Sequence, residues 1–98
     1  MSDHFTESRF QPCINGVFRA KAGATTLDLV LAEVHSLPRS PNAPRAEPFS
    51  LIFLGPPKPI LRQATYTLTH ETLGALDIFI VPVGPDPRGG MQYEAVFN

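Results

Sequence analysis

Residues 64–83 read ATYTLTHETLGALDIFIVPV, and their patterning decides the fold class. In the first half Ala64, Tyr66 and Leu68 alternate with Thr65, Thr67 and Thr69. A period of two is what a strand with one buried face requires. The second half is apolar on both faces, with Leu76, Ile78 and Ile80 on one and Phe79, Val81 and Val83 on the other. Two apolar faces predict a strand in the middle of the structure, covered on both sides. ETLG between the halves predicts a short turn, so the stretch reads as a central β-hairpin.

Working outward, VFRAK (17–21) and ATTLDLVLAEVHSL (24–37) bracket Ala22-Gly23, where a glycine suits a tight turn. The apolar phase of the second run slips from Leu27, Leu29 and Leu31 to Val30, Ala32 and Val34. Such a slip predicts either burial of both faces or a β-bulge near Ala32; a buried helix over LDLVLAEV is the competing reading. FSLIFL (49–54) reads as a core strand, Ile60-Leu61 as a return to the core, and MQYEAVF (91–97) as the last strand. One helix is expected, with Thr6 as N-cap to Glu7–Phe10, limited by Pro12 and stopped at Asn15-Gly16. Phe5, Phe10, Cys13 and Ile14 would form its buried side, a lid over one end of the β structure. Residues 1–98 are therefore expected to form one mainly β domain. Its architecture is a small antiparallel barrel or sandwich of about six strands with a short N-terminal helix.

Composition bounds the function classes. Of the 98 residues 17% are charged, below the usual quarter, so part of the surface must be polar but uncharged, or apolar and covered by a partner. A net charge of -1 supplies no field that would draw nucleic acid or anionic lipid. The single cysteine, Cys13, has no internal disulfide partner. No stretch approaches the ~20 apolar residues of a membrane span. The N-terminus lacks the basic and apolar regions of a signal peptide, so a cytoplasmic location is expected. The eleven prolines gather in PRSPNAP, GPPKP and VGPDPRGG, as in a β domain with stiffened loops.

No catalytic constellation emerges. His4, His35 and His70 lie far apart in sequence, with no HExxH and no paired cysteine, so neither metal nor cofactor is expected. Cys13 has no neighbouring histidine and reads as a small buried thiol. His70, beside Glu71, reads as a turn residue with a hydrogen-bonding partner. Asp77 shares a face with Phe79 and Val81, so it must lie at the exposed start of its strand or pair with a cation such as Arg62. VGPDPRGG superficially suggests an anion loop, but it leads into a strand and is explained by turn chemistry. Arg39, Arg45, Lys58, Arg62 and Arg88 are the candidate partner-binding residues, in loops rather than strands.

Three strings, EPFSLIFLGP, QATYTLTHETLGALDIFIVPVGP and GGMQYEAVFN, together resemble a family of short bacterial domains of unknown function that end in YEAVFN. The resemblance runs from about Phe10 to Asn98; Phe10, Gly16 and Phe18 fit its front, and Cys13 replaces a more ordinary apolar residue. It implies no catalytic motif. Its members look like neighbours of phage tail-collar-like proteins, which implies a structural or assembly role in a tail-like fibre or appendage. Two functions follow as expectations. The first is a non-enzymatic module binding a protein partner, a tail-collar-like protein or a second copy of itself. The alternative is a small β-barrel that holds a ligand in its interior or mouth, whether or not as a minor enzyme, with the titratable Asp77 and His70 near the central hairpin. If Tyr66, Leu68, Ile78, Phe79 and Phe53 fill the interior, the alternative loses its room.

Overall fold

The computed structural model describes residues 6–38 and 48–97. A four-residue helix, α1 (Glu7–Phe10), runs into a 3₁₀ turn over Gln11–Cys13. Six strands follow: β1 (Val17–Ala22), β2 (Thr25–Ser36), β3 (Phe49–Gly55), β4 (Ala64–His70), β5 (Gly74–Pro85) and β6 (Met91–Phe97). All pair antiparallel in the closed order β1-β2-β3-β6-β5-β4, so the architecture is a barrel. Thr6 takes the N-cap position, but its hydroxyl lies against Ser8 and not on the helix N–H groups. Among the described residues no helix is long and apolar enough to cross a membrane.

The sequence patterns explain how the wall curves. Alternation along β4 sends Leu68 inward and Thr65, Thr67 and Thr69 to solvent. On β2 the pairing with β3 slips between Leu31 and Glu33, placing the bulge at Ala32 and returning Val34 to the inner face. A second slip on β5, between Pro82 and Gly84, falls at Val83. Bulges sharpen the local twist, which is what bends a sheet far enough to close. Pro82 and Pro85 lie past the last β4–β5 pair, Ala64↔Ile80, where no β4 partner needs an N–H from β5. Gly23 makes the β1–β2 turn at φ 62, a conformation that costs a side-chain-bearing residue.

Inside, Phe18, Leu29, Leu31, Leu51, Phe53, Leu68, Ile78 and Ile80 meet with at most 1% of their surface exposed. Phe10 caps one end, its ring 5.9–6.3 Å from those of Phe49, Phe97 and Phe18. That is the lid expected of the N-terminal segment; Phe5 falls outside the described residues. Ser36 donates a hydrogen bond to the Glu7 carboxylate, tying α1 to the end of β2. Leu61 returns to the core as expected, and its N–H donates to the buried Tyr93 hydroxyl at 2.9 Å.

One expectation fails. β5 is covered on its inner face alone: Leu76, Ile78 and Ile80 are buried, but Phe79 and Val83 are each 50% exposed. A barrel one sheet thick has no outer layer, so an apolar outward face meets solvent. Asp77, on that same face, stays exposed and accepts from the Thr67 hydroxyl at 2.8 Å, without Arg62.

Tyr93→Phe strands the Leu61 N–H in a buried site, and the cost expected is about 1–3 kcal/mol. Urea unfolding of the two proteins measures it as a lower midpoint at unchanged slope.

Candidate functional site

The interior holds side chains where a ligand would sit. Leu68, Ile78 and Phe53 fill it, while Tyr66 is only partly buried, its hydroxyl donating to the Arg62 carbonyl. Phe79, expected to help fill the interior, points outward. Chemistry must therefore be sought on the outside, in three places.

The first is the far end of the barrel, away from α1. Gly55↔Met91 pairing brings the β3–β4 connection beside the β5–β6 turn, where Gly90 packs on the Gly55 carbonyl. Three of the candidate cations, Lys58, Arg62 and Arg88, lie in these connections, with Ile60 (56% exposed) between the first two. Arg39 and Arg45 fall outside the described residues. Arg88 is engaged within its own turn: its backbone N–H and its Nε both donate to Asp86 Oδ2, at 2.9 and 3.1 Å. Those bonds, the side-chain one first, hold the Asp86 carboxyl below its ordinary 3.8. The turn is closed further by Asp86 N–H to Gly90 O and Gly89 N–H to Asp86 O. Turn chemistry accounts for VGPDPRGG, as the sequence suggested.

A second place is the helix end, where α1, the 3₁₀ turn and the β4–β5 turn border a cleft of about 540 Å³. Asn15 adopts φ 74, a left-handed conformation that asparagine tolerates better than most residues. It lets the chain turn sharply, so that Asn15 N–H donates to Leu31 O while Leu31 N–H donates to Gly16 O. Gly16 then lies against the edge of His70: a Cβ there would be 3.1 Å from His70 Nε2 and 2.8 Å from the Cys13 carbonyl. His70 is 7% exposed, and its ring lies 4.6 Å from that of Phe18. Its partners are not Glu71 but two backbone groups, Thr72 N–H and Leu73 N–H, both donating to Nδ1 at 3.0 and 3.2 Å. With Nδ1 accepting twice, the ring proton sits on Nε2. Nothing in the sequence signalled this burial, because His70 looked like the polar end of a strand.

Cys13 lines the same cleft. Burial pushes its thiol above the ordinary 9.0 against the opposing pull of Arg9, and Sγ rests 3.6 Å from the Arg9 carbonyl. A thiol so held is protonated at neutral pH and is a poor nucleophile. Among the described residues no group of three His, Cys, Asp or Glu side chains is placed to hold a metal ion.

The third place is the outer face of β3, β6 and β5. Glu94 pairs with Val81 on one side and Ile52 on the other. Phe79, two residues before Val81, and Val96, two residues after Glu94, extend this face toward the helix end. Val83 extends it the other way, and Phe79, Val83 and Val96 are 49–50% exposed. The low charge content of the chain is thus matched by apolar side chains on its outside.

Two measurements check these assignments. Native Cys13 is expected to react slowly with a thiol reagent at neutral pH and to quicken only above pH 9.0, whereas in urea it reacts at once. The Asp86 carboxyl carbon is expected to titrate below 3.8, and Arg88→Ala to raise the midpoint toward that value. Because the folded value is the lower one, the turn's contribution to stability is complete above 3.8 and is lost as pH falls through the folded value.

No curated protein matches the chain, and no solved structure does. A family model does: the one described as Domain of unknown function (DUF6916) matches residues 5–97, nearly the full length, and the chain belongs to that family.

Proposed function

We propose that this protein is a non-enzymatic protein-binding module, a structural or assembly component of a phage-tail-like fibre or appendage. The observation that carries the reading is the outward apolar face of β5 and β6, where Phe79, Val83 and Val96 stand half exposed beside Glu94. Scattered single apolar residues on a surface need no explanation, but grouped ones on one face suit a partner. A core packed with Leu68, Ile78 and Phe53 leaves recognition to this outside. The rim cations Lys58, Arg62 and Arg88 would border the contact at the far end of the barrel, as polar residues border protein interfaces. The tail association rests on the resemblance of the chain to domains found beside tail-collar-like proteins, and that neighbour is the partner named.

The test is co-expression of the full chain with a tail-collar-like protein from the same genome. The two are expected to co-purify, and the double variant Phe79→Ser, Val96→Ser is expected to weaken retention about tenfold or more while keeping its fold. A chain that ignores that protein at high micromolar concentration overturns the reading. Self-association through the same face would give the surface to a second copy instead.

A further inference from the structure

We propose that the cleft beside His70 binds a carboxylate carrying a short apolar group. The inference is independent of the outer-face reading, since it uses other residues at another end of the barrel. Its starting point is the Nε2–H of His70. His70 is 7% exposed, Nδ1 is taken by two backbone donors, and no group among the described residues accepts from Nε2. Buried donors are almost always paired, and this one lies at the edge of an open cleft.

The chemistry of the occupant follows from the lining. With Nδ1 committed, the imidazole offers a donor and not a lone pair, so it suits an acceptor and not a metal ion. Arg9 brings a guanidinium to the same cleft, and an acceptor shared by a guanidinium and a neutral N–H is best an anion. Glu71 also lines the cleft, which opposes a doubly charged phosphate and favours a single carboxylate held toward Arg9. Ile14, Leu73 and Cys13 give the cleft an apolar wall for an alkyl group. Gly16 keeps the site open, since a Cβ at that position would stand 3.1 Å from Nε2. The carboxylate has two sources, a free short acid or the terminus of a peptide, and both present the same group.

The experiment follows the His70 ring proton and nitrogens and the Gly16 amide by NMR in the full chain. The probes are isovalerate, N-acetyl-leucine and N-acetyl-leucinamide. The ring is expected to show the Nε2–H form, and its resonances and the Gly16 amide to shift with millimolar isovalerate or N-acetyl-leucine. Tighter binding of isovalerate points to a free acid, and tighter binding of N-acetyl-leucine to a peptide terminus. The neutral amide is expected to bind about tenfold more weakly than its acid, and Arg9→Gln to erase that difference. His70→Asn keeps an acceptor for Thr72 and Leu73 but has no N–H at the position of Nε2, its shorter amide ending before the cleft, so it is expected to fold and to lose the response. If that variant does not fold, the ring resonances and Arg9→Gln still decide the matter. Unshifted resonances, meaning that a water alone serves Nε2–H, overturn the proposal, as does equal binding of acid and amide.

Discussion

Three pairs, Arg19↔Thr69, Ala20↔Leu68 and Lys21↔Thr67, join β1 to β4 and turn a curled sheet into a barrel. The rest of the structure depends on that seam. It brings residues separated by nearly half the chain into one ladder, so loop-closure entropy opposes it, and the few hydrogen bonds across three residue pairs are alone a modest return. Support comes from within: Ala20 and Leu68 meet at the seam on the inner face, and both are wholly buried. A small residue opposite a larger one lets the two strands approach without a void. Closure also removes the open edges that would otherwise template further strands.

A barrel closed in this way has two ends, and they are finished by different physics. At the helix end an aromatic cluster does the work, with Phe10 over Phe18, Phe49 and Phe97, and the last two rings stacked 4.7 Å apart. His70 joins that cluster through Phe18 and is held from the other side by its own turn. The same packing that seals the end therefore carries a polar ring into it and leaves one edge of the ring at a cleft. At the far end, tight glycine and proline turns replace aromatic bulk, and the contact of Gly90 on the Gly55 carbonyl leaves no space for side chains. Charged groups gather there because the connections are all surface.

The outer wall shows a second consequence. One sheet must supply both a core-facing and a solvent-facing surface, and the solvent-facing one is completed here partly with Phe79, Val83 and Val96. Among its charged pairs, Arg19 and Asp28 lie 3.7 Å apart across β1 and β2, both well exposed, and such a pair stabilises little. The surface chemistry is thus set more by what β5 and β6 leave uncovered than by charge.

Much of this was legible in the residues. Alternation along 64–70 placed Leu68 inside, the slip around Ala32 offered a bulge there as one of its readings, and Asn15-Gly16 marked the end of the helical segment, because each depends on local periodicity or on a backbone preference. The cations were legible as loop residues, but that Lys58, Arg62 and Arg88 share one end of the barrel follows only from the pairing of β3 with β6. Periodicity also misled on β5: apolar residues on both faces say that the faces are alike, not that an outer layer exists to cover them. By itself the sequence determined the strands, their inward residues and their turns, through interactions a few residues long. Tertiary structure decided the closure of β1 on β4, the exposure of Phe79 and the burial of His70, because each depends on which distant strand arrives alongside.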